Sequence, residues 1–226
     1  MSDITISENI NDYVTVLDDV KIYNDDKPTT MLIVGRSKTG KSTLLMHLYG
    51  KYYNNAENIS ILFSANSHIE IYKGFKNLLI RNNFVSVDAD TIESAHYINE
   101  NTDNKYPFLF MFDDIIDLKY VGTINKLILT WRNAGLSSII NTQYAYLISR
   151  QNRNNINSIF LGSFIEEEHI VDLIKAYLRP YFYKILGQHV KMSAMVQLFR
   201  LLTSDHHFIY VSPFEDSMNV IKLNQK

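Results

Sequence analysis

The chain has 226 residues and no cysteine. That excludes disulfides, thiolate metal centres and cysteine nucleophiles, and it fits a reducing compartment. Four prolines and eight glycines leave no Pro/Gly-rich linker, and no internal repeat is visible. No apolar run approaches the ~18 residues of a membrane span, so no membrane partner is expected. Met1-Ser2-Asp3-Ile4-Thr5 lacks a basic region followed by an apolar core, the mark of a secretory leader, so a soluble intracellular protein is expected. The formal net charge is only −2. The molecule is therefore no polycation, and any nucleic-acid contact must be a local patch.

What remains is ordinary globular material, 46% hydrophobic and 20% charged, of a size for one α/β domain. Within it, Gly35-Arg36-Ser37-Lys38-Thr39-Gly40-Lys41-Ser42 is a complete G-x-x-x-x-G-K-[ST] loop. Its glycines let backbone wrap a polyphosphate, and its N–H groups and the following helix N-terminus face the phosphates. Lys41 can reach the β- and γ-phosphates, and the Ser42 hydroxyl can sit on Mg²⁺. Residues Gly35, Arg36, Ser37, Lys38, Thr39, Gly40, Lys41, Ser42 and Thr43 are the expected ATP contacts. The context agrees: Met31–Val34 reads as a buried strand and Ser42–Tyr53 as a helix.

Along the chain, residues 1–28 hold seven acids and two lysines and read as an acidic arm, with Tyr13–Leu17 alternating like a strand. Residues 29–226 read as a single domain. Strands are expected at 59–63, 84–87, 107–112, 137–141, 156–161, 207–211 and 219–223, the last two as an edge hairpin. Helices are expected at about 69–82, at 91–101 with Asp90 as N-cap, at 117–133 closed by Gly135, and at 166–177. A further helical region is interrupted by Pro180 and broken at Gly187. Strands alternating with helices predict a three-layer, mainly parallel α/β fold, and the G-x-x-x-x-G-K-[ST] loop makes it resemble the P-loop NTPases of the RecA/ASCE-like kind.

Phe108-Leu109-Phe110-Met111-Phe112-Asp113-Asp114 predicts a central strand whose carboxylates lie at its C-terminal end, where open α/β sheets bind ligands. Asp113 would hold Mg²⁺, directly or through water, and Asp114 would act on the attacking water as general base or polariser. The plainer reading of Asp114 is an acidic cap on the next helix. Ser137–Gln143 supplies a strand ending in an amide. Gln143 could bond the attacking water, sense the γ-phosphate or simply satisfy loop backbone.

Trp131-Arg132-Asn133-Ala134-Gly135-Leu136-Ser137-Ser138-Ile139-Ile140-Asn141-Thr142-Gln143 resembles the FtsK–HerA superfamily of ring-forming, DNA-pumping ATPases. There an arginine precedes a small-residue turn and an apolar strand ending in Thr-Gln. Asn154–Phe160 also looks like the segment that follows. The short chain is most similar to the genome-packaging ATPases of double-jelly-roll viruses, the poxvirus-like and virophage types, and the likeness covers roughly residues 29–165. The resemblance implies ATP-dependent translocation of double-stranded DNA into a preformed capsid. It further implies a homo-oligomeric ring of five or six subunits, a capsid vertex protein as an additional partner, and a location in the host cytoplasm at the viral factory and in the virion. It makes Arg132 an arginine finger acting on a neighbour's nucleotide and Gln143 the sensor, with Arg36, Arg150 and Arg153 as rival fingers. The superfamily usually ends this acidic strand in Asp-Glu, whereas this chain has Asp113-Asp114.

From Lys175 to Arg200 there are five basic residues and no acid. The segment 175–203 is therefore a basic helical stretch suited to phosphate contact without base readout, or a solvated face over core residues. Lys184 and Lys191 would share a face if one helix ran through Gly187. Glu166-Glu167-Glu168 fits a helix N-terminus, and His206-His207 lacks companion ligands. Two other functions fit the loop: a nucleoside or nucleotide kinase, and a non-catalytic nucleotide switch or capsid-docking module. A guanine-specific switch is disfavoured, because Asn125-Lys126-Leu127-Ile128 lacks the aspartate of Asn-Lys-x-Asp.

Overall fold

A computed structural model describes residues 6–18, 22, 28–55, 57–64, 70–73, 78–81, 89–102, 107–115, 121–144 and 146–223. Nine strands form one sheet. They are β1 (Val16–Leu17), β2 (Thr30–Val34), β3 (Ile59–Ser64), β4 (Leu78–Arg81), β5 (Phe108–Ile115), β6 (Leu136–Thr142), β7 (Ser158–Leu161), β8 (His207–Ser212) and β9 (Ser217–Lys222). The order is β1-β9-β8-β7-β2-β6-β5-β3-β4. Only the pairings of β8, with β7 and β9, are antiparallel; the others are parallel.

Strand β2 is buried along its whole length, and its side chains divide between two cores. Leu32 and Val34 face one, Met31 and Ile33 the other, as the two-residue strand period requires. Helix α1 (Lys41–Tyr52) covers the Met31 face with Leu44, Leu45, Leu48 and Tyr49. The opposite face takes α2 (Ala89–Glu100), α3 (Val121–Ala134), α4 (Glu167–Leu173), α5 (Arg179–Leu186) and α6 (Met192–Leu202). The fold is thus the expected three-layer α/β sandwich. Among the described residues, no helix is long and apolar enough to cross a membrane.

Several local expectations fail. The helix expected over 69–82 is a single 3₁₀ turn, Glu70–Tyr72, followed by β4. Parallel pairing with β3 satisfies backbone groups that a lone edge would leave open, and this outweighs the local helical pattern. Asp90 lies inside α2, which already begins at Ala89, so it is not the cap. The strand expected at 84–87 lies outside the described residues. On α3, Leu129 is 57% exposed, whereas Ile124 and Ile128 are buried. β9 is not the edge of the sheet, because β1 pairs beyond it.

Pro180 does not stop its helix. A π-helical turn, Ile174–Leu178, precedes it, and Pro180 sits in the first turn of α5, where its missing N–H is tolerated. Gly187 does break the run, at φ 91°, and α6 restarts with Lys191 at its N-cap. Lys184 and Lys191 therefore share no continuous helical face. Lys184 is instead ion-paired with Asp216 at 2.5 Å, and Arg200 lies 3.7 Å from Glu167. Glu166 occupies the N-cap position of α4, with Glu167 and Glu168 in its first turn, as the charge preference of a helix start predicts.

Candidate functional site

The loop 35–42 joins β2 to α1 and is tied down by backbone on both sides. The Gly35 N–H donates to the Thr142 carbonyl and the Arg36 N–H to the Ser163 carbonyl, each at 3.2 Å. A Cβ on Gly35 would stand 2.9 Å from Thr39 Oγ1 and 3.4 Å from Gly162 Cα, so close approach demands the glycine. Gly40 is the N-cap of α1 at φ 93°, a conformation that side chains resist. Lys38 also lies in the left-handed region. The Thr39 hydroxyl and the Lys41 ammonium both donate to the Arg36 carbonyl, at 3.0 Å each.

β6 runs between and parallel to β2 and β5, so the loop, the two aspartates and Gln143 meet at the C-terminal ends of these central strands. The Ser42 hydroxyl donates to both carboxylate oxygens of Asp113, at 3.1 and 3.0 Å. Tyr72 donates to Asp113 Oδ2 and Asn141 to Oδ1. Gln143 Nε2 donates to Asp114 Oδ1 at 2.9 Å. Asp114 has φ 57°, and the β5–β6 register shifts between Phe112 and Ile115. This irregularity turns Asp114 away from the strand's alternation. Asp and Asn tolerate that backbone region better than longer side chains, a physical reason for aspartate at this position.

Ser42, Asp113, Asp114 and Asn141 line an open cleft of about 320 Å³ with Ser37, Lys38, Gly40, Lys41, Thr43 and Ile71. Burial pushes the Asp113 carboxyl above its ordinary range, against the hydrogen bonds from Tyr72, Ser42 and Asn141. Burial likewise holds the Lys41 ammonium below its usual value, with Asp114 and Asp113 opposing. The Tyr72 phenol is raised, first by burial and then by the Asp113 charge, so it is the donor in that pair. The donor set suits a magnesium nucleotide. Two hard oxygen groups, Ser42 and Asp113, converge as Mg²⁺ requires, and a desolvated ammonium stands beside them for a polyphosphate.

The structure brings Lys41, Ser42, Thr43, Asp113 and Asp114 to one cleft, with Gln143 bonded to Asp114. Arg36 is exposed and faces an adjoining cleft lined by Ser163, Phe164 and Arg200. Arg150 is exposed on a turn. Arg153 is engaged within its own chain. Its guanidinium carbon lies 5.2 Å from the ring centroids of both Tyr146 and Tyr177, and its Nε donates to the Ile148 carbonyl at 3.3 Å. Arg132 occupies the last turn of α3; its side chain lies outside what the structure describes. Sequence reasoning missed Tyr72 and Asn141. Asn141 carried a signal, as a polar residue inside an apolar strand, whereas Tyr72 carried none.

The fold and the loop geometry define an α/β P-loop NTPase architecture. Neither family models nor curated protein sequences match the chain, but solved structures do. The DNA-packaging ATPase B204 of Sulfolobus Turreted Icosahedral Virus superposes with a TM-score of 0.60 at 14% identity, covering 88% of this chain and all of that one. The genome-packaging NTPase B204 of Sulfolobus turreted icosahedral virus 2, in complex with sulfate, gives 0.59 at 16% identity, over 88% of this chain and 98% of that chain. The pCW3 conjugation coupling protein TcpA, with ATPγS, gives 0.52 at 12% identity, over 86% of this chain and 60% of that one. The chain shares the fold of viral packaging ATPases.

Proposed function

We propose that this chain is an ATP-driven translocase of double-stranded DNA that packages a viral genome into a preformed capsid. On this reading residues 29–226 act as one motor unit, with 1–28 as an arm upon it. Five or six copies form a ring that works in the host cytoplasm and at a capsid vertex. The observation that carries the reading is the pair of contacts Ser42–Asp113 and Gln143–Asp114, whose two neighbouring carboxylates line one cleft with the phosphate loop. The shared fold with packaging ATPases supports the same reading.

Each residue then has a task. The loop amides and Lys41 hold and orient the polyphosphate. Ser42 and Asp113 would hold Mg²⁺, which when bound neutralises charge on the β- and γ-phosphate oxygens. Asp114 accepts the proton of the attacking water, and Gln143 pins the Asp114 carboxylate. The in-chain stacking of Arg153 favours another residue as the finger. Arg132 takes that role from the neighbouring subunit. Leu129, exposed one turn earlier on the same helix, offers that neighbour an apolar contact.

The test is ATPase rate with and without double-stranded DNA, on material of measured oligomeric state. Stimulation by DNA in an oligomer is expected. Phosphate transfer to a nucleoside, indifferent to DNA, would replace this reading with a kinase. The finger is tested by mixing Arg132→Ala with Lys41→Ala subunits. Single-turnover cleavage should partly return, because an intact loop then meets an intact finger. No recovery in demonstrated mixed oligomers would count against a finger in trans.

A further inference from the structure

We infer that Tyr72 and Asn141 form a two-armed clamp that fixes the plane of the Asp113 carboxylate and presents it, beside the Ser42 hydroxyl, as the divalent-cation site. The inference rests on the magnesium-nucleotide reading of the cleft and adds two positioning residues to it.

A carboxylate with one hydrogen bond can turn about its terminal torsion, which is broad and roughly two-fold. Here two donors hold different oxygens from different elements. Tyr72, on the 3₁₀ turn packed against α1, takes Oδ2, and Asn141, on β6, takes Oδ1. Both arms are deeply buried: Tyr72 is 2% exposed and Asn141 0%. Ser42 approaches from the cleft and meets both oxygens at nearly equal distance. Ser42 lines the cleft beside Asp113 and is the hydroxyl expected to share a cation with it.

Asn141 carries a second sign of this role. Its Oδ1 is buried without a hydrogen-bond partner among the described residues, although an unpaired buried polar atom is destabilising. An apolar side chain would serve the core better. The amide's use is the bond that its Nδ2 gives to Asp113. Tyr72 likewise places a hydroxyl in the buried core that also holds Leu62, Leu109 and Met111, where phenylalanine would pack without a polar atom. Groups that orient a metal ligand from behind affect metal affinity by about 10–100-fold when removed.

The test uses the full chain and a fluorescent, non-hydrolysable ATP analogue. Its binding is followed by anisotropy in EDTA and across a Mg²⁺ titration, with the melting temperature recorded for each variant. Tyr72→Phe and Asn141→Ala should each raise the half-saturating Mg²⁺ concentration at least about tenfold and leave the affinity in EDTA near wild type. In an Asp113→Asn background neither should have a further effect, because both act through that carboxylate. An unchanged Mg²⁺ requirement, or equal weakening with and without Mg²⁺, would overturn the clamp and leave Tyr72 and Asn141 as packing residues. If Tyr72→Phe does not fold, Asn141→Ala decides between the same outcomes. Wild type binding the analogue indifferently to Mg²⁺ would sink the magnesium-nucleotide reading and the clamp with it; a normal wild type with unaffected variants sinks the clamp alone.

Discussion

Asp114→Asn separates chemistry from architecture at this site. The carboxylate accepts one bond from Gln143 Nε2 at 2.9 Å, and an asparagine Oδ1 can accept the same bond. The backbone at φ 57° is a region that asparagine tolerates as well as aspartate. Fold, melting temperature and magnesium-nucleotide affinity should therefore stay close to wild type. The amide cannot take a proton from water. A positioned general base contributes about 10²–10⁴ in rate, or about 3–5 kcal/mol of barrier, and the single-turnover rate should fall by that factor. Gln143→Leu keeps the base and removes its positioning bond. A hydrogen bond to a charged group is worth about 1.5–3 kcal/mol, so this variant should lose about 10–100-fold. The double variant should resemble Asp114→Asn alone, because the two residues act as one unit. The assay is γ-phosphate release in a single turnover at saturating nucleotide and DNA, beside an equilibrium binding curve. If Asp114→Asn cleaves at the wild-type rate, Asp114 is not the base. If it loses binding as well, its role is structural. Asp114→Glu should be less stable by about 1 kcal/mol, since a longer side chain resists the left-handed backbone.

Three further outcomes are expected. Lys41→Ala should weaken nucleotide binding and cut turnover by about 10²–10³ or more, because the buried ammonium that faces the polyphosphate is lost; isothermal binding and single-turnover cleavage test both. Gly35→Ala should destabilise by about 1–3 kcal/mol, since its Cβ meets Thr39 Oγ1 at 2.9 Å, and adding Thr39→Ala should relieve part of that in denaturant unfolding. Burial pushes the Tyr177 phenol up to about 12. The folded protein thus keeps that proton to higher pH than the unfolded chain, whose tyrosines ionise near 10. Stability is full below about pH 10 and falls between about pH 10 and 12, and Tyr177→Phe should make that alkaline fall shallower.

The sequence by itself determined the elements whose signal is local. The loop Gly35–Ser42 between an apolar run and a helix was legible because phosphate binding needs those residue types at that spacing. β5 was legible because five apolar residues end in two acids. The three-layer parallel sandwich followed from the alternation of such runs. Other features depended on partners distant in the chain. The stretch 69–82 had a helical pattern, but the free edge of β3 drew Leu78–Arg81 into the sheet. The break at Gly187 in the basic stretch 175–203 was legible in the sequence, whereas the ion pair by which Asp216 claims Lys184 was not. Arg153 could have been a free finger until Tyr146 and Tyr177 closed on it. The surroundings of Asp113 illustrate the point most fully. Its place at a strand end was readable, whereas the side chains that grip it, Tyr72 and Asn141, come 41 residues before it and 28 after it. Asn141 showed in the sequence only as a polar residue inside an apolar strand and Tyr72 not at all, because strand order and the packing of α1, not chain neighbourhood, bring them to Asp113.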